Sequence, residues 1–159
     1  MPTETLLAPE SVLAELNRRF RMEDHNGHYL TIFYGVYRRS TRALSYAGAG
    51  HPPALVLSGG QPQWLTSQSP PVGMFGDTEF TSQTHVLQAG ARLLVYSDGA
   101  FEFERADGGQ FSVAQFAELC HAVADEPGQP LDAIVGRLRS LSSTGDFEDD
   151  CSLVLLTTD

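Results

Sequence analysis

The sequence contains no lysine: its ten basic residues are all arginines, set against twenty Asp and Glu, for a formal net charge of −10. Binding a phosphate backbone by counterion release needs a basic footprint, so no nucleic-acid partner is expected. Cysteine is scarce as well. Cys120 and Cys151 form no CxxC pair, and two thiols in a chain of this size make neither a zinc cluster nor a disulfide framework, which fits a reducing compartment. Apolar runs are no longer than a strand, and Met1-Pro-Thr-Glu-Thr lacks the basic and apolar regions of a signal segment. A cytoplasmic protein with no membrane partner is expected. Also missing are GxSxG, a Walker A loop, GxGxxG after a strand and HExxH, so serine-hydrolase, P-loop, dinucleotide and zincin chemistries have no local support.

What is present suits one compact domain over residues 1–159, with 42% hydrophobic and 19% charged residues. Pro9 opens a helical stripe of Val12, Leu13, Leu16 and Phe20, with Arg18, Arg19 and Arg21 near its end, where the helix dipole favours cations. Residues 29–37 (YLTIFYGVY) read as a strand covered on both faces, and the polar RRSTR turn then leads into a partner strand over 43–47. A second hairpin is expected from 54–57 and 63–66 around Ser58-Gly59-Gly60-Gln61. Further strands fall at 79–87, 92–96 and 151–157, the last two nearly continuous apolar runs of the sandwich-core kind. Between those two lie two helical stripes. One is capped by Ser112 and carries Val113, Phe116, Leu119, Cys120 and Val123; the other runs Leu131, Ile134, Leu138 and Leu141. Strands joined by short turns, without βαβ alternation, predict an α+β fold with antiparallel sheets.

Charge is uneven along the chain. Residues 1–97 carry seven acids and seven arginines, whereas 98–159 carry thirteen acids and three arginines. Such a skew is ordinarily a solvated surface; the sharper reading is that some carboxylates converge on a cation. Asp98 follows the apolar RLLVY with only Ser97 between, and Asp149-Asp150 directly precede CSLVLL. Carboxylates at the ends of buried strands are rigidly placed, and their hard oxygens suit Mg²⁺ or Mn²⁺. Asp-Gly and Asp-Asp are also common turn residues, and local sequence by itself favours that role. His51, in Gly-His-Pro-Pro, reads first as a residue that hydrogen-bonds its loop, and second as one that meets a substrate phosphate. His25, His28, His85 and His121 have no ligand-like spacing, and Arg38, Arg39 and Arg42 read as a charged turn.

In order and spacing these segments resemble the PPM-type, metal-dependent serine/threonine protein phosphatases of the SpoIIE-like or RsbU-like bacterial branch. The residues carrying the resemblance are LTIFYGVY (30–37), AGAGHPPA (47–54), PPVGM (70–74), LVYSDG (94–99) with Glu102, and DDCSLV (149–154). It implies an α-β-β-α sandwich of antiparallel sheets flanked by helices, with a binuclear Mn²⁺ or Mg²⁺ centre at one end. Asp98 and Asp149 would be catalytic metal ligands; Gly99, Asp150 and His51 would have supporting or structural roles. The implied substrate is a phosphoserine or phosphothreonine on a regulatory protein, of the STAS-type anti-sigma factor antagonist class.

The chain also departs from that pattern. Ahead of LTIFYGVY the sequence has neither the family's opening Gly-Asp-x-x-Asp motif nor its Asp-x-x-Gly-x-G segment; the first spacing occurs only at the other end, at 145–149, where it runs into the closing DDCSLV. The expected domain is therefore N-terminally incomplete, without the family's first strands and first long helix, and with half of a binuclear site. Two readings follow: a metal-dependent phosphatase, or a non-catalytic interaction or assembly module that keeps the fold. Unpaired sheet edges would favour a homodimer.

Overall fold

The computed structural model describes residues 3–124, 126 and 129–159. Its helices are α1 (Thr3–Leu6), α2 (Pro9–Arg19), α3 (Val113–Ala124) and α4 (Pro130–Leu141); its strands are β1 (Ile32–Arg38), β2 (Ala43–Ala49), β3 (Ala54–Leu57), β4 (Gln63–Leu65), β5 (Gln83–Val86), β6 (Arg92–Tyr96) and β7 (Leu153–Thr157). All paired strands are antiparallel, in sheets of order β1-β2-β5 and β4-β3-β6-β7. This is the α+β class the sequence predicts. The chain divides into two compact units, Met1–Pro53 with Thr66–Ala89, and Ala54–Leu65 with Gly90–Asp159. No helix among the described residues is long and apolar enough to cross a membrane.

In the first unit α2 lays Val12 and Leu13 inward, and Leu13 joins Ala47, Ala49, Val72 and Phe80 in a small core. Asn17 is the polar exception on that helix, 3% exposed. Its Oδ1 accepts the Gly73 N–H at 2.7 Å and its Nδ2 donates to the Phe75 carbonyl at 3.0 Å, so one buried amide ties α2 to the loop following PPVG. Gly73 needs to be glycine: its φ is +88°, and a Cβ there would lie 2.6 Å from the Phe20 carbonyl oxygen. On the exposed side of α2, Glu15 accepts hydrogen bonds from Arg18 and Arg19, which hold its carboxyl down at about 2.

The expected strand over 29–37 begins instead at Ile32, and its residues are only partly buried. Tyr29 and Leu30 are exposed, with Leu30 making an isolated bridge to Val72. The physical reason is position: β1 is the end strand of its sheet, so its aromatic residues pack on fewer neighbours than a central strand would give them.

In the second unit Leu55, Leu57, Leu94 and Tyr96 form one sheet face against Phe116, Cys120, Ile134 and Leu138 of α3 and α4. The α3 start is a capping box: Gln115 N–H donates to Ser112 Oγ, and Ser112 N–H donates to Gln115 Oε1 at 3.0 Å. Strand β6 is the buried core strand that was expected. Strand β7 is not: it starts at Leu153, lies at the sheet edge, and exposes Val154 and Leu156 while Leu153 and Leu155 pack inward. An apolar run alone does not distinguish a central strand from an edge one.

Two outcomes test this account. Asn17→Ala leaves the buried Gly73 N–H without its acceptor and lowers unfolding free energy by about 2 kcal/mol in chemical denaturation. The Glu15 carboxyl, followed by NMR, titrates below 3, roughly; because its folded value is depressed from 4.5, its contribution to stability is complete above that pH and is lost as pH falls toward 2.

Candidate functional site

The site is built by strand pairing. Strand β6 leaves its apolar stretch at Tyr96 and runs into Ser97-Asp98-Gly99, while Asp149-Asp150-Cys151-Ser152 lead into β7. The two strands pair antiparallel with Tyr96 opposite Leu153, so the exit of one and the entry of the other fall at the same end of the sheet. Register therefore brings Asp98 beside Asp149-Asp150, across fifty residues of sequence, roughly.

Short hydrogen bonds close the junction. Ser97 N–H donates to the Ser152 carbonyl at 3.0 Å, Ser97 Oγ donates to the Asp150 carbonyl at 2.8 Å, and Ser152 N–H donates to Ser97 Oγ at 2.9 Å. Gly99 is buried against the same backbone: a Cβ there would stand 2.6 Å from the Asp150 carbonyl oxygen and 3.1 Å from that of Asp149. Neither Ser97 nor Ser152 stands out in the sequence. The available signal was a hydroxyl residue immediately beyond an apolar strand, too common to select by itself.

Asp98, Asp149 and Asp150 are all exposed. Asp98 Oδ1 accepts the Gly99 N–H at 3.0 Å, and Asp149 Oδ1 accepts the Asp150 N–H at 2.7 Å. Each carboxylate is thus oriented by its own turn, and its second oxygen has no partner among the described residues. Orientation by a turn and availability to a cation coexist here. Asp150 contributes its carbonyl to the junction through Ser97. Two hard carboxylates on one rigid junction fit a divalent cation as two of the six or more oxygen ligands that such an ion takes. No group of three His, Cys, Asp or Glu side chains able to hold a metal occurs among the described residues.

His51 lies in the first unit, with Nδ1 2.8 Å from the Pro52 carbonyl and its ring tilted beside Phe33. The segments AGAGHPP and PPVGM meet there. Gly50, at φ +60°, donates its N–H to the Ser69 carbonyl at 2.9 Å, and a Cβ on it would fall 2.5 Å from the Pro71 ring. Neither cysteine is set up as a nucleophile: both are free thiols, and burial pushes the pKa of each upward, that of Cys120 most strongly.

A family model described as Stage II sporulation protein E (SpoIIE) matches residues 3–159. Phosphoserine phosphatase RsbP of Bacillus subtilis (strain 168) is 37% identical over 101 residues, which are 60% of this chain and 25% of RsbP; the match thus spans about a quarter of that relative. Among solved structures, the SiaA-PP2C domain of Pseudomonas aeruginosa aligns with TM-score 0.84 at 20% identity, covering 96% of this chain and 62% of the other. The Mn-presoaked phosphatase domain of the cell fate determinant SpoIIE from Bacillus subtilis aligns with TM-score 0.67 at 16% identity, covering 100% and 75%. These likenesses show a shared fold.

The junction makes opposite predictions for two glycines. Gly99→Ala drives a methyl group into fixed backbone and lowers stability by about 2 kcal/mol, whereas Gly136→Ala, inside α4 with nothing near its Cβ position, raises it by roughly 0.5–1 kcal/mol in the same denaturation experiment.

Proposed function

Because the chain belongs to the SpoIIE family of PP2C-type phosphatase domains, we propose that it is a metal-dependent phosphatase domain hydrolysing a phosphoserine or phosphothreonine on a regulatory protein. The two compact units are read together as one family domain, residues 1–159. The observation that carries the proposal is the junction of Asp98 with Asp149-Asp150, fixed by the β6–β7 register and the Ser97 hydrogen bonds.

Asp98 and Asp149 are assigned as ligands of Mn²⁺ or Mg²⁺. Bound there, such an ion supplies charge stabilisation for a phosphoryl group and acidifies water toward a nucleophile. The work of the protein's own residues is positional. Gly99 allows the close approach, Ser97 clamps the two segments, Asp150 serves through its backbone, and His51 holds the Gly-His-Pro-Pro loop through its Pro52 contact. Similarity to the phosphoserine phosphatase RsbP supports phosphoserine as the target, and the Mn-presoaked relative supports a divalent cation. For the protein substrate, the STAS class of anti-sigma factor antagonists is the partner this reading favours, and a cytoplasmic location belongs to the same reading.

One observation favours a second reading. No Gly-Asp-x-x-Asp motif precedes LTIFYGVY in these 159 residues, and no three potential ligands converge among the described residues. Two carboxylates alone bind Mg²⁺ or Mn²⁺ weakly, and a chain limited to them acts as an interaction or assembly module, including as a homodimer.

Titration calorimetry of Mn²⁺ into the chain, paired with p-nitrophenyl phosphate turnover, separates the two. The phosphatase reading predicts micromolar binding and turnover, both lost in Asp98→Asn and Asp149→Asn with the melting temperature in EDTA unchanged. Absent or millimolar binding without turnover, identical in wild type and variants, establishes the module instead.

A further inference from the structure

Away from the junction, α3 and α4 present a second face at the margin of the core, where Leu119 and Leu141 are only partly buried. Phe116, Cys120 and Val123 of α3 and Ile134 and Leu138 of α4 pack inward. Gln115, Glu118, Leu119 and Ala122 recur at helical spacing on another stripe of α3, facing Arg137, Ser140 and Leu141 of α4 across an open cavity of about 470 Å³. Phe111 and Arg105 also line it. The lining is chiefly aliphatic and aromatic carbon, a shape and chemistry suited to the apolar side of a short helix.

Charge decides what kind of segment fits. Both arginines at the rim already have partners: Arg105 pairs with Asp107 at 2.6 Å, and Arg137 pairs with Glu126. Glu118 has no ion-pair partner among the described residues and is exposed on the α3 wall. The surrounding unit carries thirteen acids against four arginines. An approaching acidic segment meets like charge, whereas a cationic one is attracted by the whole unit and meets a free carboxylate at the groove.

We propose that the α3–α4 groove docks a basic amphipathic segment of a partner protein, its apolar residues seated over Leu119, Ala122 and Leu141 and a lysine or arginine on Glu118. An open groove suits a peptide that continues past both ends better than a small molecule, which needs enclosure to bury most of its surface. This site is independent of the phosphatase reading, since binding requires neither metal nor turnover.

The test uses fluorescence anisotropy with two labelled, end-capped helical peptides that share leucines at i, i+3, i+4 and i+7 and differ only in flanking lysines or glutamates. The lysine peptide binds saturably to the intact chain, the glutamate peptide at least tenfold more weakly, roughly, and raising the salt weakens the former. Ala122→Arg, an exposed substitution that fills the groove, reduces lysine-peptide binding by about tenfold or more, and Glu118→Arg narrows the gap between the peptides. Circular dichroism melting of each variant establishes that it is folded. The proposal is overturned if the lysine peptide fails to bind, if it binds folded Ala122→Arg as well as wild type, which would mean diffuse attraction to acidic surface, or if decanoate binds in the groove where neither peptide does.

Discussion

The candidate chemistry depends on one pairing, the antiparallel register of β6 against β7 with Tyr96 opposite Leu153. Sheet hydrogen bonding is all-or-none in register: a slip of one residue reverses which side chains face the helices. Here Leu94, Tyr96, Leu153 and Leu155 must all face α3 and α4, and that burial fixes where the strands end. The three aspartates follow as a consequence. They need no stabilising contact of their own to be neighbours, which is why exposed and lightly bonded carboxylates can hold a defined arrangement.

The junction shows how a core and a polar site share residues. Tyr96 is the last core side chain of β6, its ring tilted against that of Phe116 at 4.5 Å centroid distance, and Ser97 is the first polar one, spending its hydroxyl and its amide on the other segment. Gly99 then lets the chains touch where any larger residue would hold them apart. Mechanical support for the aspartates thus comes from three consecutive kinds of contact: aromatic packing, hydrogen bonding and close backbone approach.

The first unit uses another device for the same end. Its glycine-rich and proline-rich segments lie against one another because Gly50 and Gly73 adopt left-handed conformations, and because Asn17 supplies a buried amide to the Gly73 loop. The polar group is affordable there because both ends of its amide are bonded. Charge follows the same division of labour. Acids crowd the second unit, where the carboxylate junction and the α3–α4 groove both lie, while the first unit is close to neutral.

Much of this was legible in the sequence, for reasons of locality. Helical stripes in α2, α3 and α4, the Ser112 cap, the short hairpins and the turn glycines depend on neighbours within a few residues, and composition and periodicity report such neighbours directly. The candidate aspartates stood out because each lies within two residues of an apolar run, and the resemblance to the SpoIIE-like family gave them their expected roles. What lay outside its reach is non-local. Whether RLLVY or LVLLT is central or at an edge, that Tyr29 and Leu30 stand outside β1, that Ser97 reaches Asp150, and that Asn17 answers Gly73 depend on contacts between residues tens of positions apart. The sequence alone determined most of the elements, the acidic skew and which carboxylates are candidates. Only the tertiary structure decided which of them meet, because strand register and edge position are properties of pairing, and pairing is settled by the burial of a whole sheet face at once.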